Sequence, residues 1–181
     1  MPKVYLQRHT KPQFEPQICY GVSDIPLHED YRAIHLPALL GKLNDLAVSH
    51  IYTSPLKRCF ILACDIKREF EILNITVDNR LMELNFGEWE LVHWNDIYMS
   101  AEGKIWFDDF LYVSTPGGES FDDMVERVKK FTHMIKHKGE DVIVVTHSGV
   151  IRAFMVIAGI VSAEEVFGVE VNYGDLIEID L

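Results

Sequence analysis

The fold is decided by the stretch Lys3-Val4-Tyr5-Leu6-Gln7 and by the Arg8-His9-Thr10 that follows it directly. The first part is a short run of residues with β-strand propensity, and an arginine and a histidine stand at its end. In an α/β sheet, ligands bind outside the carboxyl ends of the strands. A guanidinium group there suits an oxyanion such as phosphate, and an imidazole can act as nucleophile, acid or base near neutral pH. Because an Arg-His pair also occurs by chance, this interpretation depends on what the other strand ends supply.

Composition limits the classes of protein to which the chain can belong. Its 181 residues predict one domain, 1–181, that is long enough to bury a core. The net charge of -11 argues against a nucleic-acid partner and against an anionic membrane surface, whereas a cluster of arginine and histidine in a cleft can still attract a small anion. The three cysteines form no C-x-x-C pair, so we expect reduced thiols in a cytoplasmic protein. The oligomeric state stays open.

Strands and helices alternate along the chain. This order predicts a three-layer α/β fold with a mainly parallel, doubly wound sheet. Segment 80–115 is polar and aromatic, and we expect it to cover one end of the sheet. The apolar region 142–161 is interrupted by polar residues, so it predicts a buried strand, a turn and a helix rather than a membrane span. The predicted strands are 3–7, 50–53, 76–77, 142–145 and 176–179, and the predicted helices are 30–46 with an interruption at Pro37, 55–70, 121–136 and 150–158.

Two further strand ends carry matching chemistry. The second strand leads into Ser54-Pro55-Leu56-Lys57-Arg58, which puts Arg58 in the first turn of a helix. The buried strand leads into Thr146-His147-Ser148-Gly149. Parallel strands end at the same edge of a sheet, so two arginines and two histidines are predicted to converge there, beside the N–H groups of the helix that starts near Gly149. Segment 81–90 adds carboxylates between aromatic residues.

Together these motifs resemble the histidine phosphatase (phosphoglycerate mutase-like) superfamily over nearly the whole chain. They are Arg8-His9-Thr10, Ser54-Pro55-Leu56-Lys57-Arg58, Glu83 within 81–90, and Thr146-His147-Ser148-Gly149-Val150-Ile151-Arg152. The resemblance implies a phosphoglycerate mutase-like fold. It also implies an enzyme that hydrolyses a small phosphorylated metabolite without metal or cofactor, through a phosphohistidine intermediate.

The resemblance assigns a role to each motif. His9 would attack phosphorus through one ring nitrogen. Arg8, Arg58 and His147 would bind the phosphoryl oxygens and stabilise their charge. Glu83 would enter protonated, give its proton to the leaving oxygen, and then take one from the water that cleaves the phosphohistidine.

A softer similarity points to one group within the superfamily. Arg8 to Pro12, followed by Cys19-Tyr20-Gly21-Val22-Ser23-Asp24, is similar to the α-ribazole phosphatases, as is 116–120. This implies hydrolysis of α-ribazole 5'-phosphate in cobalamin nucleotide-loop assembly, with Tyr20, Gly21 and Ser148 also binding substrate. A broad-specificity histidine phosphatase or a phosphoglycerate mutase is the alternative. Glu15 stands where the mutases commonly have asparagine, and an acid near a phosphate would repel it.

Several alternatives remain open for individual residues. Glu88, Glu90 and Glu119 compete with Glu83 for the role of general acid. Leu91 stands where the family often has glycine. A serine hydrolase would use Ser148, although Thr146 and Val150 occupy the glycine positions of the G-x-S-x-G elbow; a phosphate-binding regulator would use the same site without turnover. The i,i+4 pair His133 and His137 has metal-ligand spacing, but no third ligand is suggested nearby.

Overall fold

The computed structural model describes residues 1–70 and 74–181. The strands are β1 (Lys3–Arg8), β2 (His50–Thr53), β3 (Asn74–Val77), β4 (Val142–Thr146) and β5 (Leu176–Asp180). The helices are α1 (Tyr31–Ile34), α2 (Leu36–Leu43), α3 (Lys57–Glu69), α4 (Trp94–Met99), α5 (Ala101–Asp108), α6 (Phe121–Lys138) and α7 (Ser148–Ile157). Three 3-10 helices span Asn79–Leu81, Gly87–Trp89 and Val166–Gly168. Within these ranges, no helix has both the length and the apolarity to cross a bilayer.

The strands form one sheet in the order β3-β2-β4-β1-β5. Strands β1 to β4 are parallel, and β5 is antiparallel to β1. The predicted three-layer, mainly parallel α/β fold is therefore confirmed, and β3 lies at one edge of the sheet. Because β5 runs the other way, its first residue, Leu176, pairs with Gln7 near the end of β1. The start of β5 and the ends of β1, β2 and β4 thus lie at the same edge.

The two faces of the sheet are covered by different helices. Every residue of β4 is buried. Val142 and Val144 belong to the core cluster that includes apolar residues of α6 and α7, whereas Ile143 and Val145 belong to the cluster that includes those of α2 and α3. Successive side chains of a strand point to opposite faces, so a strand covered on both sides must be apolar throughout. This is why the continuous β-branched run predicts the central strand correctly.

Local signals place the helix boundaries. The Ser120 hydroxyl accepts a hydrogen bond from the Asp123 N–H, and the Asp123 carboxylate accepts one from the Ser120 N–H, so the two residues cap the start of α6. The helix ends at Gly139, whose φ of 67° suits glycine. The predicted helix 30–46 divides into α1 and α2 at His35, with Pro37 in the first turn of α2, as the interruption predicts.

Candidate active site

A cavity of about 300 Å³ opens at the edge where β1 and β4 end. One part of its wall carries charged and polar groups from β1, from segment 83–86 and from the start of α7. The rest is largely aromatic and comes from the loops that surround the edge. The lining residues are Arg8, His9, Pro16, Ile18, Tyr20, Glu83, Leu84, Phe86, Trp94, Trp106, Phe110, Phe121, Met124, Ser148, Gly149, Arg152, Phe167 and Tyr173.

His9 is buried, with 2% of its surface exposed. Its backbone N–H donates to the Thr146 carbonyl at 3.0 Å, which fixes the end of β1 against the end of β4. Its Nδ1 lies 2.7 Å from the Thr10 carbonyl oxygen. A carbonyl only accepts, so Nδ1 carries the proton and Nε2 keeps a lone pair. This is the tautomer that a nucleophilic Nε2 requires.

The surroundings of His9 also keep it neutral. Burial, followed by the positive charges of Arg58 and Arg8, holds the pKa of His9 well below its usual value. The pKa of His147 is held well below its usual value in the same way, by burial and by Arg58. Both imidazoles are therefore uncharged at neutral pH, which leaves His9 able to attack an electrophile.

Arg58 and His147 lie behind His9 rather than in the cavity wall, and both are fully buried. The Arg58 Nε donates to His147 Nδ1 at 3.2 Å, and His147 Nε2 lies 2.9 Å from the Ser54 hydroxyl. The rings of His9 and His147 are 5.2 Å apart. The two terminal nitrogens of Arg58 donate to the carbonyls of Gly21 and Ser23. The structure thus brings the predicted residues together. Both terminal nitrogens of Arg58 are hydrogen-bonded to the loop 21–23 and hold it in place.

Arg8 is held differently. Its guanidinium carbon lies 3.9 Å from the centre of the Tyr173 ring, and one terminal nitrogen donates to the Val171 carbonyl. Its buried Nε has no hydrogen-bond partner, and no carboxylate pairs with the group in the described part of the chain. A buried donor without a partner is costly. Arg8 therefore has unused capacity for an anion in the cavity.

Glu83 sits at the N-terminus of α7. One carboxylate oxygen accepts from the Gly149 N–H at 3.2 Å and from the Ser148 hydroxyl at 3.4 Å, and the other accepts from the Leu84 N–H at 3.2 Å. A Cβ at Gly149 would collide with this carboxylate, so the close approach requires glycine there. The N–H groups that the sequence predicts as an anion site thus hold Glu83 in this structure.

The competing carboxylates are engaged elsewhere. Glu88 is exposed. Glu90 accepts hydrogen bonds from the N–H groups of Gly21, Val22 and Ser23. Burial alone would raise the pKa of Glu90, but hydrogen bonds from Ser23, Gly21 and Val22 outweigh it and keep that pKa below its usual value. Glu119 pairs with Arg127 at 2.7 Å. Of these four carboxylates, all within the described residues, Glu83 is the one in the cavity wall.

Arg127 fastens the segment that carries Glu83, and sequence reasoning missed it. From α6, its terminal nitrogens donate to the carbonyls of Arg80 at 2.7 Å and Glu83 at 3.1 Å. Its carboxylate partner Glu119 also accepts from the Asn85 N–H at 2.9 Å. Arg127 and Glu119 together thus hold segment 80–85 by hydrogen bonds at both ends. The sequence gives no local signal for this, because the contacts join residues that are 47 and 44 positions apart.

The residues predicted to contact substrate occupy different places. Tyr20 and Ser148 line the cavity, and the Tyr20 hydroxyl lies 2.9 Å from that of Tyr173. Gly21 is buried. Its N–H donates a hydrogen bond to Glu90, its carbonyl accepts one from Arg58, and a Cβ there would collide with the Leu84 carbonyl.

The Ser148 hydroxyl donates a hydrogen bond to Glu83, whereas the ring nitrogens of His147 contact Arg58 and Ser54. Within the part of the chain that the structure describes, no imidazole is hydrogen-bonded to the Ser148 hydroxyl, which does not favour a serine hydrolase.

The remaining predictions concern metal binding and mutase activity. His133 and His137 are exposed on α6. In the described ranges, no group of three or more histidine, cysteine, aspartate or glutamate side chains is arranged to hold a metal ion. Glu15 is exposed and lies outside the cavity wall that contains His9.

The aromatic wall and its arginine were also missed. Trp94 and Trp106, whose rings are 6.5 Å apart, come from the predicted excursion 80–115. Phe167, Tyr173 and Arg152 come from α7 and from the segment before β5. The segment before β5 reaches the site because β5 runs antiparallel to β1. The sequence does not reveal the direction of this strand. Arg152 ends the motif 146–152, but the sequence alone indicates no role for it.

Comparison with known proteins identifies the family. The model for the histidine phosphatase superfamily (branch 1) matches residues 4–181. The chain belongs to the histidine phosphatase superfamily. Phosphoserine phosphatase 1 from Hydrogenobacter thermophilus is 28% identical over 158 residues, which are 84% of this chain and 74% of that protein.

Solved structures show the same fold. Bacillus stearothermophilus YhfR has a TM-score of 0.85 and 27% identity, covering 100% of this chain and 92% of that one. The α-ribazole phosphatase from Shigella flexneri also has a TM-score of 0.85, with 23% identity over 99% of this chain and 90% of that one. These similarities confirm the expected phosphoglycerate mutase-like histidine phosphatase fold.

Proposed function

We propose that the protein is a metal-independent phosphomonoesterase that uses His9 as its nucleophile. One observation carries this proposal: the Nδ1 proton of His9 is held by the Thr10 carbonyl, so that a neutral Nε2 is left with a lone pair beside Arg8. Nε2 attacks phosphorus, and the bond from phosphorus to the leaving oxygen breaks as the N–P bond forms. Glu83, entering protonated, gives its proton to that oxygen.

The second half of the reaction regenerates the protein. Water attacks the phosphohistidine, Glu83 takes one of its protons, and the N–P bond breaks to release inorganic phosphate and neutral His9. Arg8 supplies unused donors to the phosphoryl oxygens, and Arg58 and His147 stabilise their charge from behind His9. The hydrogen bonds from Gly149 and Leu84 hold Glu83 over the cavity in both steps.

We further propose α-ribazole 5'-phosphate as the substrate, which would place the reaction in cobalamin nucleotide-loop assembly. Two observations support this choice. The motifs 8–12 and 19–24 resemble those of α-ribazole phosphatases. The aromatic wall, which includes Phe86, Trp94 and Trp106, suits a planar base. Broad phosphatase activity, or the phosphoserine activity named for the Hydrogenobacter relative, is the competing assignment.

The test is phosphate release from α-ribazole 5'-phosphate, L-phosphoserine, 3-phosphoglycerate and p-nitrophenyl phosphate, each with and without EDTA. His9→Ala is compared with His137→Ala, which changes an exposed histidine on α6. We expect kcat/KM to be highest for α-ribazole 5'-phosphate, insensitive to EDTA, unchanged in His137→Ala and lost in His9→Ala. Similar slow turnover of all four esters would remove the cobalamin assignment. Activity that survives in His9→Ala would overturn the phosphohistidine mechanism, and transfer of phosphate back to product would indicate a mutase.

A further inference from the structure

A second guanidinium group faces the cavity from α7. Arg152 lies one helical turn beyond Ser148 and lines the same cavity as His9. One terminal nitrogen donates to the Val169 carbonyl at 2.9 Å. Its Nε is buried and has no partner among the described residues. Burial lowers the pKa of the group, as expected for a charge held partly out of water.

The seven arginines of the chain divide into two sets. Four of them pair with a carboxylate: Arg32 and Arg68 with Asp65, Arg80 with Asp78, and Arg127 with Glu119. The other three, Arg8, Arg58 and Arg152, form no such ion pair within residues 1–70 and 74–181. All three surround the His9 site. Arg8 and Arg58 already have a role toward the phosphoryl group, whereas Arg152 has none.

The positions of Arg8 and Arg152 suit one ligand with two polar ends. Arg8 is held by the Val171 carbonyl and Arg152 by the Val169 carbonyl. Residues two positions apart in a chain are separated by at most about 7 Å. A small ester whose phosphoryl group contacts Arg8 can therefore present a second group to Arg152.

The surroundings of Arg152 define the body of such an ester. The Phe167 ring lies 5.4 Å from its guanidinium carbon, and Phe110 packs on Phe167 with ring centres 4.5 Å apart. Trp106 continues this wall, with its ring centre 6.2 Å from that of Phe110. Such a wall favours a planar apolar body, and a guanidinium group whose Nε has no partner among the described residues favours a hydrogen-bond acceptor.

We propose that Arg152 selects the leaving group, by binding an oxygen or nitrogen acceptor on phosphomonoesters whose leaving alcohol carries an aromatic ring, aryl phosphates among them. The inference rests on the proposed phosphatase activity and adds a substrate class and a specificity-determining residue to it. A site built to bind an acceptor discriminates against an ester that lacks one, because its donor is then left unpaired. For a half-buried guanidinium we expect discrimination of about 10- to 100-fold.

The experiment uses three esters that differ at one position. Phenyl phosphate has no acceptor, 4-acetylphenyl phosphate has a neutral one, and 4-carboxyphenyl phosphate has an anionic one. The quantity compared is kcat/KM of a variant divided by kcat/KM of the wild type for the same ester, so the intrinsic reactivity of each ester cancels. Arg152→Gln removes the charge, Arg152→Lys keeps it, and Arg68→Gln is the control for loss of an exposed arginine.

We expect Arg152→Gln to lower this ratio about 10- to 100-fold for the two esters with acceptors and less than about 3-fold for phenyl phosphate. Arg152→Lys should rescue the carboxylate ester if charge dominates, and neither ester if the planar guanidinium is required. An equal loss for all three esters, or no loss, would overturn the proposal. If Arg152→Gln does not fold, the same comparison across the three esters is made with Arg152→Lys.

Failure of the underlying activity gives a different result. If the wild type cleaves none of the aryl esters but hydrolyses another phosphomonoester in a His9-dependent way, the substrate class proposed for Arg152 is wrong and the phosphatase assignment stands. If it hydrolyses no phosphomonoester at all, the proposed function itself fails.

Discussion

The two sides of the cavity are built in different ways. The phosphate side, which we propose to bind the phosphoryl group, consists of His9 with Arg58 and His147 behind it. All three are almost completely buried and lie within a few residues of the ends of parallel strands. The leaving-group side consists of aromatic residues and Arg152, which come from loops, from short helices and from the segment before β5. A phosphoryl group is the same in every phosphomonoester, so one fixed arrangement serves all substrates. Leaving groups differ between substrates, and in the proposed mechanism they face residues from loops and short helices, the part of a fold that varies most.

This difference makes the two sides distinguishable by experiment. A change on the phosphate side should lower activity toward all esters by the same factor. A change on the leaving-group side should lower it by a factor that depends on the ester. Glu83 lies at the boundary, since it contacts the N-terminus of α7 and, in the proposed mechanism, acts on the leaving oxygen.

The largest effect that separates the two sides is expected for Glu83→Gln. For an ester with an alkyl leaving group, loss of the general acid should lower kcat/KM by about 10²- to 10⁴-fold. The release of p-nitrophenolate, which leaves without a proton, should fall by less than about 10-fold. Rapid-mixing measurements should then show a burst of p-nitrophenolate, because the second step still lacks its base. The control is Glu88→Gln, which changes an exposed carboxylate; equal losses for both esters would mean that Glu83 is not the acid.

The same division explains what the sequence could predict. His9, Arg58 and His147 each lie within a few residues of the end of a strand with a clear β pattern, so their convergence follows from the parallel sheet alone. Tyr173 could not be predicted, since its position depends on β5 running antiparallel to β1. Arg127 could not be predicted either, because its contacts link α6 to residues 47 and 44 positions earlier in the chain. Those positions depend on tertiary packing, which leaves no local pattern.

The buried phosphate side should also appear in the pH dependence of stability. His9 and His147 have folded-state pKa values well below their unfolded value of about 6.5. Below pH 6.5 the unfolded chain therefore binds protons that the folded protein does not bind, and the free energy of unfolding falls as the pH falls. Each histidine contributes a slope of up to about 1.4 kcal/mol per pH unit. Urea unfolding between pH 7 and pH 5 measures the total.

Variants separate this contribution from that of the other groups. His9→Gln should reduce the slope by up to about 1.4 kcal/mol per pH unit, whereas His133→Gln, at an exposed position, should leave it unchanged. Identical slopes in the wild type and His9→Gln would show that His9 is not held neutral by burial.

A smaller effect is expected where the two sides are joined. Arg127→Met removes both hydrogen bonds to the carbonyls of segment 80–85 and leaves Glu119 without its cation. Glu83 should lose its fixed position, and kcat should fall about 10-fold with little change in KM. Arg68→Met is the matched control, because the exposed Arg68 pairs with Asp65 outside the cavity wall. Comparison of kcat and KM for one alkyl ester checks this prediction, and a loss confined to KM would contradict a positioning role.

The smallest effect concerns the loop behind the leaving-group side. Leu91 adopts a φ of 66°, and it does so while its N–H donates to the Cys19 carbonyl at 2.8 Å. A side chain in this left-handed conformation costs about 1–2 kcal/mol, whereas glycine adopts it freely and loses about 0.5–1 kcal/mol more entropy on folding. Since Leu91 is 56% exposed, Leu91→Gly should raise the free energy of unfolding by up to about 1 kcal/mol. Leu91→Ala keeps the Cβ and should give no such gain in urea unfolding. A loss of stability in Leu91→Gly would show that packing of the leucine, rather than backbone strain, decides the energy of this turn.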